Sequence, residues 1–196
     1  MKKQKKSNSE GMVRIIAGNW RSRQIKVVNE EGLRPTTDRV RETVFNWLQF
    51  DVLNSRCLDA CAGSGALGFE ALSRGAKHVD FVESNVKAIE ILRKNKQSLG
   101  LDEGQTASIF HDDIHQFLSK AGADSLPYDI VFVDPPFDAS LHEQIFAGLI
   151  EQSHLKNGTL IYCEQPTNEQ IQLPDNWEYC RQKKLKNVSF GLIGVE

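Results

Sequence analysis

The sequence predicts an α/β fold: a mostly parallel sheet with helices on both faces and a reversed last strand. Three observations predict it. From residue 56 onward, short apolar runs alternate with helical patterns, the signature of repeated βα units. A glycine-rich stretch, Gly63-Ser64-Gly65-Ala66-Leu67-Gly68, separates the first of those runs from the helix after it. At the C-terminal end the alternation stops, and the strand-like runs Trp177–Leu185 and Val188–Val195 have only Lys186-Asn187 between them, which dictates an antiparallel pair.

The elements follow in order. Residues 1–11 read as a disordered basic tail, and residues 12–34 as a β-hairpin extension in which Val13–Ala17 and Gln24–Val28 are joined through Gly18-Asn19. An isolated hairpin is marginal in water, so this one must pack on the main body or on a ligand. The main domain is expected over 35–196; a chain of 196 residues suits one such domain. Pro35 sets an extended entry, Thr37 or Asp38 caps a helix, and Val40, Val44, Trp47 and Leu48 share its apolar face. Strands are expected at Cys57–Cys61, Val79–Val82, Ala107–Phe110, Ile130–Val133 and Leu160–Cys163. Helices are expected at Leu67–Leu72, Val86–Leu99, Ile114–Leu118 and Leu141–Ile150, with Ile89 and Leu92 facing the core.

Charge and composition narrow the function. Residues 1–41 carry eleven Lys/Arg against four acids, whereas the remainder carries thirteen against twenty-two. A basic end on an acidic body points to a polyanion partner at that end. No run approaches the roughly 18 apolar residues of a membrane span, and Met1–Glu10 lacks the apolar segment of a secretory signal. Cys57, Cys61, Cys163 and Cys180 lack zinc-type spacing and sit in apolar runs. They read as buried reduced thiols in a cytoplasmic protein, and no metal centre is expected.

The glycine loop satisfies G-x-G-x-x-G in the right context, after a strand and opening a helix, and Glu83 ends the next strand where an acid can accept from both ribose hydroxyls. Asp59 narrows the cofactor. It lies at the tip of the first strand, four residues before Gly63, where it would repel the pyrophosphate of a dinucleotide. S-adenosylmethionine has no phosphate and offers an ammonium beside a sulfonium, which Asp59 attracts directly or through water. Gly63, Ser64 and Gly65 are the loop contacts; Asp113 either caps the following helix or accepts from the adenine amine, with Asp112 as the alternative acceptor.

Asp134-Pro135-Pro136-Phe137 ends the strand Ile130–Val133, at the same sheet edge as the loop. An exocyclic base amine is a poor nucleophile because its lone pair is delocalised into the ring. Hydrogen bonds from its two hydrogens to Asp134 and the Pro135 carbonyl pull the nitrogen towards tetrahedral geometry and free the lone pair. Pro136 stiffens the turn, and Phe137 stacks on a base taken out of its helix. A carboxylate accepts from both N1–H and N2–H of guanine, which favours guanine N2; a backbone N–H can still serve adenine N1, so adenine N6 stays open.

With these motifs the chain resembles the class I S-adenosylmethionine-dependent methyltransferases, and more narrowly the RsmD family, which methylates N2 of one guanine (position 966) in bacterial 16S rRNA. The narrower resemblance rests on Arg14-Ile15-Ile16-Ala17-Gly18, Leu33-Arg34-Pro35-Thr36-Thr37-Asp38-Arg39-Val40-Arg41-Glu42-Thr43-Val44-Phe45-Asn46 and Leu58–Gly68, and spans about residues 12–195. It implies a Rossmann-like seven-stranded sheet and a substrate presented on the 30S subunit or its late precursor. It also implies that Asp59 and Gly63 contact the methionine end, Glu83 the ribose and Asp113 the adenine, with Asp134 to Phe137 as the catalytic clamp. Three departures stand out: Ser22 where the family often has Gly, Lys2 to Lys6 beyond the family's usual start, and Asn85 where relatives are often acidic.

Arg14, Arg21, Arg23 and Lys26 on the hairpin, with Arg34, Arg39 and Arg41, are the expected RNA contacts, although Arg39 equally suits a salt bridge to Asp38 or Glu42. Lys183, Lys184 and Lys186 either extend the basic surface or guard an exposed edge strand. Two further readings stay open at this point: an adenine-N6 methyltransferase of DNA or RNA, and a non-catalytic RNA-binding ribosome-assembly factor. The methyl-transfer reading requires the tips of the first and fourth strands of the parallel series, Asp59 and Asp134, to lie side by side.

Overall fold

The computed structural model describes residues 11–27, 37–101, 105–120, 126–135 and 139–196. In chain order the elements are β1 (Gly11–Arg14), β2 (Gln24–Val27), α1 (Asp38–Trp47), β3 (Arg56–Asp59), α2 (Ala66–Ser73), β4 (His78–Glu83), α3 (Val86–Leu99), β5 (Thr106–His111), α4 (Ile114–Lys120), β6 (Ile130–Val133), α5 (Ala139–Glu151), β7 (Leu160–Pro166), β8 (Trp177–Lys184) and β9 (Val188–Val195). Seven strands form one sheet in the order β5-β4-β3-β6-β7-β9-β8. The first five in that order pair in parallel, and β9 runs antiparallel to both β7 and β8.

Period-two alternation assigns the side chains to two cores. Cys57, Ile130, Phe132, Tyr162 and Phe190 face a core shared with α1, α2 and α3. Leu58, Val131, Val133, Ile161 and Ile193 face the opposite core, shared with α4 and α5. Helices on both faces explain why all four residues of β6 are buried. Local signals set the helix ends. Thr37 caps α1 through Val40 N–H (3.4 Å), and Asn85 caps α3 by accepting from Lys87 and Ala88 (2.9 and 3.1 Å). The departure at Asn85 is thus a helix cap.

The strand order reverses between β3 and β6, which pair directly: Asp59 lies opposite Phe132, and Ala60 N–H donates to the Phe132 carbonyl (3.0 Å). Ligands bind at such a switch point, outside the carboxyl ends of the strands. The expected neighbourhood of the two tips is present.

β1 and β2 form the expected N-terminal hairpin, joined through Gly18-Asn19, but β1 ends at Arg14 rather than Ala17. Residues 15–23 make the connection because Ile15 and Trp20 are drawn into the core (0% and 4% exposed). Ser22 takes a left-handed backbone there, φ +69°. Glu70, fully buried on α2, anchors the connection. It accepts from Ile16 and Ala17 N–H (2.7 and 3.1 Å) and from Arg74 Nε (2.7 Å), with Arg41 Nη1 at 3.7 Å.

The cysteines need a correction. Cys57 and Cys163 are buried, Cys61 is half-buried and Cys180 is exposed, because β8 is an edge strand with one face open. Among the described residues no helix is long and apolar enough to cross a membrane, and no group of His, Cys, Asp and Glu is arranged to hold a metal ion.

Candidate active site

The glycine loop is built by its backbone. Gly65 N–H returns to the Ala62 carbonyl (2.7 Å), and Gly65 itself (φ +81°) stands where a side chain's first carbon would lie 2.5 Å from Leu92 and 2.6 Å from Phe69. Gly63 (φ +52°) is the opposite case: nothing lies within 4 Å of the equivalent point, so the loop is open on that side. With glycine at its N-cap, α2 has no side-chain cap, and the N–H of Gly68 donates instead to Asp59 Oδ2 (3.0 Å). Ser64 is half-buried, and its carbonyl accepts from Asn95 Nδ2 (3.0 Å).

Glu83 ties the loop to β4. One carboxylate oxygen accepts from Gly63 N–H and the other from Asn85 N–H, each at 2.7 Å. A carboxylate has about four acceptor positions, so ribose hydroxyls can share it with these amides. Asp59 is 2% exposed. Burial pushes its carboxyl up to about 7, the Gly68 N–H opposes that rise, and the charges of Asp134 and Glu83 add to it. Asp134 and Glu83 thus converge on Asp59 at one sheet edge.

That donor set fits S-adenosylmethionine. A ligand carrying an ammonium and a sulfonium relieves the repulsion, whereas a pyrophosphate would compound it. The open face at Gly63 gives the ligand room beside the loop.

Asp113 is less free than expected. Its Oδ1 accepts from His115 and Gln116 N–H (2.9 and 3.4 Å) and caps α4, so capping competes with an adenine contact. Asp112 pairs with Lys120 (2.5 Å) and accepts from Asp113 N–H (3.0 Å). At the end of β6, Asp134 is half-buried and Pro135 buried; Pro136 and Phe137 lie outside the described residues.

The expected RNA contacts divide. Arg21 and Arg39 are exposed, and Arg14 is exposed while its Nε pairs with Asp38 (2.9 Å). Asp38 binds Arg14 and Arg41, and Arg39 makes no ion pair among the described residues. Lys26 is half-buried, with both its backbone groups held by Asn95. Arg34 lies outside the described residues. Arg41 must be corrected: it is 0% exposed, with Nη2 donating to the Arg14 carbonyl and to Asp38 (2.8 Å each), and cannot reach a phosphate. Arg23 is exposed, but its guanidinium donates to the Ser98 and Leu99 carbonyls at the C-terminus of α3, a favourable place for a cation.

Asn95 was missed. It is 1% exposed, and its Oδ1 accepts from Lys26 N–H (2.9 Å) while Nδ2 donates to the carbonyls of Lys26 (2.8 Å) and Ser64. The sequence did hold a signal: Asn95 falls in the apolar stripe Ala88, Leu92, Leu99, where a polar residue needs buried partners.

A family model described as Conserved hypothetical protein 95 matches residues 13–193. A protein of Haemophilus influenzae, "Ribosomal RNA small subunit methyltransferase D", is 45% identical, the match covering 98% of each chain. Its Escherichia coli namesake is 41% identical over 100% of this chain and 96% of its own. Among solved structures, the Escherichia coli protein yhhF superposes with a TM-score of 0.83 at 38% identity, covering 95% of this chain and 99% of that one. Matched over nearly its whole length, the chain belongs to the Conserved hypothetical protein 95 family, the RsmD family of class I methyltransferases.

Proposed function

We propose that the chain transfers the methyl group of S-adenosylmethionine to the exocyclic N2 of one guanine, position 966 of 16S rRNA. The substrate is presented on the 30S subunit or its late precursor, in the cytoplasm. The coarser activity, S-adenosylmethionine-dependent methylation of small-subunit rRNA, follows from family membership and full-length relatives of 41–45% identity. The observation that supports the chemistry is the pairing of β3 with β6, which sets Asp59 and Asp134 at adjoining strand tips.

When bound, S-adenosylmethionine supplies an electrophilic methyl group. Asp59, Gly63, Ser64 and Glu83 hold it: the loop backbone and Glu83 position the ribose end, and the Asp59 carboxylate faces the cationic end. Asp134 and the Pro135 carbonyl accept hydrogen bonds from the target amine and draw its lone pair out of the ring. By their place in the motif, Pro136 would stiffen the turn and Phe137 would stack on the extruded base; both lie outside the described residues. No strong base is needed before attack, because the methylated nitrogen is a cation that loses its extra proton easily; positioning and electrostatics account for most of the rate.

The test offers labelled S-adenosylmethionine with 30S particles, free 16S rRNA and duplex DNA, followed by nucleoside analysis. N2-methylguanosine formed on 30S particles is expected. N6-methyladenosine on any substrate would overturn the guanine assignment.

A further inference from the structure

The register of the sheet carries the geometry of its active edge out to β8. Val133 lies opposite Cys163, Cys163 opposite Gly191, and Gly191 opposite Gln182. Asp134 follows Val133, and the next row outward is Glu164, Phe190 and Lys183. Lys183 is therefore level with the catalytic aspartate, three strand spacings away, or about 14 Å at roughly 4.8 Å per step. Beyond it lie Lys184 and the turn residue Lys186; Arg181 is one row below Gln182, in line with Asp59.

All four cations are exposed. Lys183 and Arg181 stand opposite Phe190 and Leu192, which face the α1 side, while Lys184 stands opposite Ser189 and points to the other face. The result is a ridge of positive charge around the hairpin tip. No acidic residue occurs from Tyr179 to Val195, on a body whose residues 42–196 carry nine more acids than bases. Among the described residues none of the four makes an ion pair, and Arg181 Nη1 donates only to its own neighbour's carbonyl, that of Cys180 (2.9 Å).

Protection of an edge strand does not account for this placement. The first half of β8, Trp177 to Cys180, has one acid and no cation, although it lies on the same edge strand. The charge gathers in the half nearest the active edge and continues into the turn, where there is no edge to guard.

We propose that the β8–β9 hairpin binds RNA backbone phosphates a few nucleotides from the base held at Asp134, through Arg181, Lys183, Lys184 and Lys186. This rests on the reading of the chain as a small-subunit rRNA methyltransferase. It adds a second anchor, on the far side of Asp134 from the N-terminal hairpin. A base pulled into the clamp leaves its flanking backbone outside, and an anchor level with Asp134 holds that backbone without reading sequence.

The test compares wild type, a triple variant (Lys183→Gln, Lys184→Gln, Lys186→Gln) and its charge-preserving counterpart (each lysine to Arg). Methyl transfer to 30S particles is measured between about 50 and 200 mM salt, with S-adenosylmethionine affinity by calorimetry. The glutamine variant is expected to raise KM for the particle at least about tenfold, at unchanged kcat and cofactor affinity. It should also flatten the log KM against log salt slope by about two units, at about 0.7–0.9 per lost phosphate contact. The arginine variant should keep the wild-type slope. An unchanged KM and slope in the glutamine variant would overturn the proposal, as would self-association with an unchanged slope for the monomer, the mark of edge protection. If wild type itself transferred nothing to rRNA, the parent reading would fall and take this one with it, an outcome visible without either variant.

Discussion

Asn95 on α3 joins the hairpin to the cofactor loop: its side-chain amide grips both backbone groups of Lys26 and donates to the Ser64 carbonyl at 3.0 Å. Each bond contributes about 1 kcal/mol net, and leaving the Lys26 groups unsatisfied adds to the loss. Asn95→Ala should lower stability by about 2–4 kcal/mol and weaken S-adenosylmethionine binding, because Ser64 loses its donor. Asn95→Asp keeps the volume and one acceptor but loses both donors, and should weaken cofactor binding similarly. Urea denaturation and calorimetry read the two effects; unchanged affinity in both variants would refute the link to the loop.

Asp59 should make cofactor binding pH-dependent. Its carboxyl ionises near 3.9 in an unfolded chain and at about 7 in the fold, where burial dominates. The folded protein holds the extra proton between those values. The stabilisation this provides is present in full below about pH 4 and lost as pH rises through about 7. Asp59→Asn should therefore raise the Tm of the ligand-free protein at pH 8, yet weaken S-adenosylmethionine binding there. In wild type a cationic ligand lowers the Asp59 value, so binding releases up to one proton below pH 7 and affinity falls by up to about tenfold per unit. Calorimetry in two buffers of different ionisation heat counts that proton; zero release at pH 6 would contradict the assignment.

Arg41 and Arg39, two residues apart on α1, should separate stability from RNA binding. Removing one partner of a buried charge pair costs about 3–5 kcal/mol, so Arg41→Met should unfold at much lower urea. Arg39→Met should change stability by less than about 0.5 kcal/mol while raising KM for the 30S particle. Equal destabilisation by both would contradict the burial pattern.

Ser22 holds a left-handed backbone that costs an L-residue about 1–2 kcal/mol, whereas glycine loses about 0.5–1 kcal/mol of extra chain entropy on folding. Ser22→Gly should stabilise the protein by about 0.5–1 kcal/mol, measured as a higher urea midpoint at unchanged slope. Destabilisation would mean that the hydroxyl has a role in the connection.

Much of the fold was legible because its signals are local. α3 and β6 fall on their expected residues: Asn85 caps one, and a run of β-branched and aromatic residues makes the other. The reversed pair β8 and β9 was legible from the two residues expected between them. What escaped depends on partners distant in sequence. Arg41 on a helix start reads as a surface cation; its burial follows from Glu70, on another helix. The strand expected to run on to Ala17 stops at Arg14, because Ile15 and Trp20 are pulled into a core built by later elements. Asp113 was ambiguous in sequence because an acid before a helix can cap it or hold a ligand, and the cap is what the fold forms.

In the proposed mechanism Asp134 acts on the target amine beside a cofactor held at Asp59. Asp134→Ala tests it most directly, with single-turnover methyl transfer to 30S particles and S-adenosylmethionine affinity measured on the same protein. Transfer should slow at least about 100-fold with cofactor binding still measurable. Transfer at the wild-type rate with cofactor bound would contradict it.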